Sequence, residues 1–364
     1  MDASGPGAVQ MTLTANGAVR TLTARSLTEA SAAATTTVAQ AMRLERSNAG
    51  DRGAVLAAGG IDLLDLMKEH LLEPDMLVSL RGIAGLDRIV AEREGGLWLG
   101  AMATLAMLAE HAEVQKRYPA LADALRIASS PQIRAVATLG GNLLQRPRCG
   151  YFRARECHCT RKGGSHCFAH AGENQYHAVF DNHGCAIVHP SSAATVLVAL
   201  GATLELRSPG GRSRTMRIED FIVPSARDPT RENLLEPREI LIAVRLPPMA
   251  AGTCMAHLRQ GERAAFDWPL AEVAVVLGIG PDARCRSAAI VLGAAAPVPH
   301  RARRAEQSLL GRPITDSLAR EAARAALDGA APLSQNGYKL ALFETLVRRA
   351  ILGALDAHRG RGGG

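Results

Sequence analysis

Four cysteines, Cys149, Cys159, Cys167 and Cys185, lie in one irregular, apolar-poor stretch that begins just after the run TLGGN at Thr138 to Asn142. Four thiolates brought together repel, so a metal, disulfides or protons must hold them. Their gaps of nine, seven and seventeen intervening residues are not the C-x2-C pairs of a structural zinc site. A cubane iron–sulfur cluster, which needs four thiolate donors, tolerates such intervals. His158, His166, His170 and His177 keep zinc open as an alternative, and redox-inert free thiols are a third. A fifth thiol, Cys157, sits beside Cys159. Cys254 and Cys285, in apolar strand-like surroundings, read as small buried hydrophobes. Five of the seven cysteines fall within 149–185, whereas a secreted disulfide framework would spread them more evenly.

Two glycine loops stand ahead of the cysteines. A backbone approaches a pyrophosphate where side chains are absent, and free N–H groups at a helix start supply the donors. AAGGID at 57–62 opens a helix, and TLGGN adds Thr138 and Asn142 as side-chain donors. Neither loop matches the G-x-G-x-x-G of a doubly wound nucleotide fold, and a P-loop is absent. Each alone is more often an ordinary turn than a phosphate site.

The elements that position these loops follow from the hydrophobic pattern. MTLTA and AVRTL alternate on either side of Asn16-Gly17, a strong hairpin signal. Residues 37–45 are helical in pattern, VLAAGGIDL at 55–63 is a buried strand turning through Gly59-Gly60, and Asp62 is placed to cap the helix DLLDLMKEH. LWLGAM near 97–102 is strand-like, and helices follow around 104–111 and 118–128. Past the cysteines come a short apolar helix, SAATVLVALG, and the strands TLELR and REILIAVRLP. Pro247-Pro248 is the best domain boundary. Beyond it, the apolar strands AEVAVVLGI and CRSAAIVLGA precede helical patterns near 300–310, 315–328 and 337–357, a compact α+β unit. The GRGGG tail carries no pattern and reads as disordered.

Composition bounds the function. The chain has 364 residues, 47% of them hydrophobic, enough for more than one core. No run of about 18 apolar residues would span a membrane, and MDASGPGAVQ lacks the regions of a secretory signal. A net charge of +7 could attract nucleic acid, but with 3% aromatics there is little for bases to stack on. Arginines such as those in His300 to Arg304 read as a solvated helix face, or as a surface for an acidic partner. His189 is the single acid–base candidate, and a packed structural histidine is the better reading of it.

GNLLQRPRCGYFR, Cys159, Cys167, CAIVHPS at 185–191 and ERAAFDWPLAEVAVVL resemble one family over about residues 34–356. The chain is similar to the FAD-binding subunits of the molybdenum hydroxylases, in particular the xanthine dehydrogenase-like aldehyde oxidoreductases whose flavin subunit carries an extra 4Fe-4S cluster. The flavin subunit of 4-hydroxybenzoyl-CoA reductase shares that feature. The resemblance implies an α+β chain with the two-subdomain FAD-binding fold of the vanillyl-alcohol-oxidase and CO-dehydrogenase-flavoprotein type. It divides the chain into an N-terminal extension (1–33), an FAD-binding domain (34–248) with a cysteine-rich insert at about 146–188, a C-terminal α+β domain (249–357) and a tail (358–364). It assigns FAD contacts to Val55, Leu56, Ala57, Ala58, Gly59, Gly60, Ile61, Asp62 and Leu63, to Thr138, Gly140, Gly141 and Asn142, to Pro190, Ser191 and Ser192 within the segment reaching Ala194, and to Arg259. It assigns the cluster ligands to Cys149, Cys159, Cys167 and Cys185.

By the same resemblance, electrons come from a molybdenum-cofactor-binding large subunit through a 2Fe-2S small subunit to FAD, and then to an external acceptor. Arg146, Arg148, Arg153 and Arg155 would raise the cluster's potential or face a partner. The family usually has Thr at Ile61 and Asp at Ser192, so weaker FAD retention is expected here. A cytoplasmic location is the default, with a periplasmic one if a partner carries the export signal. The residues alone leave two other readings: a zinc-stabilised scaffold, or a self-contained flavin oxidase.

Overall fold

A computed structural model describes residues 9–14, 17–26, 28–30, 53–208, 211–236 and 238–361. The alternating N-terminal runs form strands β1 (Val9–Thr14) and β2 (Gly17–Thr23), antiparallel, with Thr14 opposite Gly17. Strands β3 (Ala54–Ala57) and β4 (Met76–Ser79) are parallel to each other, and β2 joins β4 in parallel, which gives the order β1-β2-β4-β3. The helical pattern at 37–45 lies outside the described residues.

After β3 the chain turns through Gly59 and Gly60 into α1 (Ile61–Lys68). Gly60 has φ 84°, a conformation open to glycine but costly for other residues, and it caps the helix. Asp62 is therefore not the cap. It lies in the first turn, where its carboxylate faces arginines of the cysteine segment.

The second sheet is antiparallel throughout, in the order β5-β6-β9-β7-β8: β5 (Ile89–Ala91), β6 (Leu97–Gly100), β7 (Thr203–Arg207), β8 (Ser213–Arg217) and β9 (Ile240–Leu246). In β7, Leu204 and Leu206 are buried and their neighbours are not, the period of two of a strand with one face in the core. Helices α2 (Leu105–Glu110), α3 (Ala112–Arg117) and α4 (Pro119–Ile127) follow β6. The short turns α5 (Pro131–Arg134), α6 (Leu139–Leu143) and α7 (Gly150–Arg153) lead into the cysteines, and α8 (Ser192–Ala199) closes the segment. Every residue of α8 is buried, which is why its sequence is apolar all round.

The C-terminal sheet runs β10-β11-β12-β13, antiparallel: β10 (Thr253–Gln260), β11 (Ala271–Ile279), β12 (Cys285–Gly293) and β13 (His300–Arg301). Helices α10 (Arg303–Leu309, after the one-turn α9, Ile218–Phe221), α11 (Asp316–Ala325) and α12 (Tyr338–Arg361) cover one face. Helices α4 and α8 of the first domain meet the other face, where Met255, Ala274 and Val291 join the first core. Burial on both faces explains the apolar run of β11 from Val273 to Ile279. Cys254 and Cys285 are buried in this unit, as their surroundings suggested.

Three details depart from the pattern-based reading. His300 and Arg301 pair with β12, so the helix starts at Arg303. Arg301 is mostly covered and pairs with Glu306, whereas Arg303 and Arg304 stay on a solvated face while pairing with Glu219 and Asp328. Helix α12 runs on to Arg361. Among the described residues, no helix is long and apolar enough to cross a membrane.

Candidate functional site

The two glycine loops and the segment from Pro190 meet at a cleft of about 440 Å³, within the roughly 300–1,000 Å³ of small-molecule sites. Leu56, Ala58, Gly59, Gly60, Ile61, Asp62 and Leu63 line it from the first loop. Thr138, Gly140, Gly141 and Asn142 line it from the second, and Pro190 and Ser192 from the third. Val55 and Ala57 stand behind the lining, Val55 in a small core with Leu66 and Phe152. Ser191 is buried as the cap of α8, and its hydroxyl donates to Asn142 Oδ1 at 2.6 Å, tying the second and third segments together. The first and second loops touch at Gly59, where any Cβ would run into the Val136 carbonyl.

Backbone donors converge on this cleft. Helix α1 has no side-chain cap, so its first-turn N–H groups are left for a ligand. In the second loop Thr138 Oγ1 accepts the Gly141 N–H at 3.1 Å and fixes the turn. Arg146, Arg148, Arg231 and Arg238 lie in the lining, the first three paired with its carboxylates Glu232, Asp62 and Glu236. Phe266 and Trp268, about half exposed, offer flat apolar faces, with Arg134 5.7 Å from the Phe266 ring and Arg148 4.9 Å from the Trp268 ring. Sequence reasoning missed Arg231, Arg238, Phe266 and Trp268 as lining residues. The two aromatics of FDWP, in so aromatic-poor a chain, were the available signal.

Arg259 stands apart from the lining. Its guanidinium donates to the Ile127 carbonyl at 2.5 Å and to the Asp267 carbonyl. Ile127 ends α4, and the last carbonyls of a helix are unsatisfied acceptors that attract a cation. Ser192 hydrogen-bonds the fully buried Glu272, which also accepts from Thr195 Oγ1 at 3.0 Å and pairs with His257 at 3.4 Å. Burial pushes the Glu272 carboxyl up, but these partners outweigh it and hold it below the usual range. His189 is buried and burial pushes it down to about 4, so it is neutral at pH 7.

Asp62 joins the cleft to the cysteine segment. It accepts the Arg146 backbone N–H and an Arg153 N–H, both at 2.7 Å, and pairs with Arg148. Burial raises its carboxyl, yet Arg148 and Arg153 prevail and keep it below the ordinary carboxylate range. Arg148 and Arg153 are thus spent on Asp62 and, for Arg153, on Asp65 at 3.1 Å.

Within the segment, Cys149, Cys159, Cys167 and Cys185 lie close enough to act on one another electrostatically. Electrostatic contacts link Cys149 with Cys159, Cys167 and Cys185, and Cys159 with Cys185, while Cys167 and Cys185 hydrogen-bond. Cys149, Cys159 and Cys167 each stand just before a single helical turn. None of the three sulfurs makes an aligned cap hydrogen bond. The N–H groups of Tyr151 and Phe152, of Arg161 and Lys162, and of Ala169 nonetheless favour the three thiolates. Burial works the other way, pushing Cys149 up to about 11 and Cys159 upward. Hydrogen bonding within the pair raises Cys185 and lowers Cys167. Ligation here must therefore displace protons. Among the described residues, no group of three or more His, Cys, Asp or Glu is arranged to hold a single metal ion.

The C-terminal domain holds the far end of this segment. Asn336 donates to the carbonyls of His177 and Ala178, both at 3.1 Å, and Asn182 donates to the Ala331 carbonyl at 2.7 Å. The buried Lys339 ammonium donates to the carbonyls of His177 and Ala294 at 3.0 and 2.7 Å. His177 in turn lies 3.2 Å from the Cys149 sulfur.

Sheets, cleft and glycine loops together define a two-domain flavoprotein. Residues 28–249 match the family described as the FAD binding domain in molybdopterin dehydrogenase, and residues 256–354 match the CO dehydrogenase flavoprotein C-terminal domain. The chain is 36% identical over 303 residues to the aldehyde oxidoreductase FAD-binding subunit PaoB of Escherichia coli (strain K12), spanning 82% of this chain and 91% of that one. It is 28% identical over 306 residues to the carbon monoxide dehydrogenase medium chain of Hydrogenophaga pseudoflava, spanning 82% and 88%. Its fold matches that of quinoline 2-oxidoreductase from Pseudomonas putida 86 with a TM-score of 0.66 at 26% identity, over 92% of this chain and 96% of the other. The chain belongs to the molybdopterin dehydrogenase FAD-binding family, as an oxidoreductase subunit.

The cleft suits FAD on its own terms. An uncapped helix start fits a pyrophosphate, and half-exposed aromatics fit a planar ring.

Proposed function

We propose that this chain is the FAD- and iron–sulfur-bearing electron-transfer subunit of a molybdenum-dependent aldehyde oxidoreductase, with FAD in the cleft and a 4Fe-4S cluster on Cys149, Cys159, Cys167 and Cys185. One observation carries the reading. Four thiols of one segment lie close enough to act on one another, and that segment is clamped through Asp62 to the helix that opens the cleft. Four thiolates are the donor set a cubane cluster takes.

Bound FAD and cluster would supply electron uptake and release, the chemistry that belongs to the cofactors. The protein's share is placement. The first turn of α1 holds the anion, Phe266 and Trp268 flank a ring, and Asp62 fixes the spacing between the two centres. The aldehyde substrate class is supported by the similarity to a subunit named for that activity. A molybdenum-cofactor-binding large subunit and a 2Fe-2S small subunit are the partners, supported by similarity to chains named as medium subunits.

Anaerobically purified full chain is expected to carry about four irons and one FAD. Zinc in place of iron would sink the cluster reading. Cys157→Ser should keep full iron and Cys159→Ser should lose it, and the reverse pattern would overturn the ligand assignment.

A further inference from the structure

On the helical turn Thr160–Lys162, directly after Cys159, the side chain of Arg161 is 2% exposed. A guanidinium that deep needs partners for its N–H donors and a counter-charge. Nη1 has both: it donates to the Arg231 carbonyl at 2.8 Å and to Glu232 Oε1 at 3.2 Å. Nε and Nη2, equally buried, make no aligned hydrogen bond. The turn follows Cys159, and the sulfurs of Cys185 and Cys159 act electrostatically on the guanidinium.

Glu232 is not Arg161's alone. Its Oε2 lies 3.3 Å from Nε of Arg146, another buried guanidinium with N–H groups left over. Two arginines share one carboxylate, so one positive charge stays uncompensated in a water-poor region between the thiols and the cleft, which Arg146 and Glu232 also line. An excess cation beside four sulfurs is stabilised only if the sulfurs carry negative charge.

We propose that Arg161 is a positioning residue for the iron–sulfur centre, aiming Nε–H and Nη2–H at the sulfurs of Cys185 and Cys159 and raising the potential of the cluster they hold. The inference rests on the cluster reading above. Each cluster reduced takes up one electron and so one negative charge. A fixed buried cation favours that reduced form, and hydrogen bonds to the sulfurs act in the same direction. Glu232 opposes this by drawing on the same charge.

The test is a dithionite titration of the anaerobically purified full chain, one electron per cluster, with the reduced cluster followed by electron paramagnetic resonance and iron counted in parallel. Arg161→Gln should lower the midpoint potential by at least 59 mV, a tenfold change in the one-electron equilibrium. Arg161→Lys, which keeps the charge and loses the fork, should recover part of it. Glu232→Gln should move the midpoint upward, a direction that general loosening of the site does not produce. Arg161→Gln with full iron and an unmoved midpoint overturns the proposal. If Arg161→Gln loses its iron, Glu232→Gln decides: an upward shift supports the proposal, and an unchanged midpoint overturns it. Wild-type chain without iron removes the cluster reading and this inference together, whereas iron with no shift removes the inference alone.

Discussion

The cleft and the cysteine segment lie side by side and are built by different means. The cleft is backbone work: strand ends, glycine turns and a helix start whose N–H groups stay free. The cysteine segment has only single helical turns of its own and is held by side chains from outside, Asp62 and Glu232 at one end and Asn336 and Lys339 at the other. The first should therefore fail when atoms are added, and the second when a polar anchor is removed.

The largest effect is expected from Gly59→Val. Its side chain would meet the Val136 carbonyl and drive the two glycine loops apart. Overpacking of this kind costs about 1–3 kcal/mol, which corresponds to up to about a hundredfold in FAD affinity. Flavin absorbance after gel filtration should fall while iron content holds. Loss of both together would show that the two regions are not separable.

Acid should act on the other region first. His177 belongs to the cysteine segment, His189 follows it, and His300 stacks on Phe180 within it at 3.9 Å. Burial pushes all three down to about 4, against 6.5 unperturbed. A base with a lowered folded-state pKa binds protons preferentially when unfolded. Stability is then full above about pH 6.5 and falls as pH drops toward 4, at most about 1.4 kcal/mol per histidine per unit. Iron should be released before FAD as pH falls through that window, followed by absorbance and thermal melts.

Lys339→Met sharpens the contrast further. It leaves the Ala294 carbonyl without its Lys339 donor and the His177 carbonyl with Asn336 alone, worth about 1–3 kcal/mol. Iron occupancy should drop and FAD binding stay. Flavin loss in this variant would mean that the segment also supports the cleft.

The same contrast governs what the sequence made legible. The glycine loops, α8 and the long strands β11 and β12 announce themselves by period or by Gly-Gly before an apolar run, because local backbone geometry imposes them. Strand β4 is short and paired only with strands distant in sequence, and pattern did not find it, while the two-residue strand at His300 is too short to show a period. Asp62 looked like a cap because Asp near a helix start usually is one. Its actual partners, Arg146, Arg148 and Arg153, lie more than eighty residues away and no local pattern names them. Arg161 was invisible for the same reason: its meaning lies in Glu232 and Cys185.

The smallest effect concerns Ile61 and Ser192, two positions that looked alike as lost polar contacts. Ile61 is 40% exposed at the cleft and begins the uncapped α1, so a hydroxyl there gains a role without displacing anything. Ile61→Thr should tighten FAD by about 0.5–1.5 kcal/mol, roughly two- to tenfold. Ser192 already spends its hydroxyl on Glu272, whose carboxylate is fully buried. Ser192→Asp would set a second carboxylate against the first, and like charges in a buried site disfavour each other. FAD affinity, measured by quenching of flavin fluorescence, should rise in Ile61→Thr and fall in Ser192→Asp. Equal gains from both would mean that Glu272 does not shape the cleft wall, and that the serine is a simple loss.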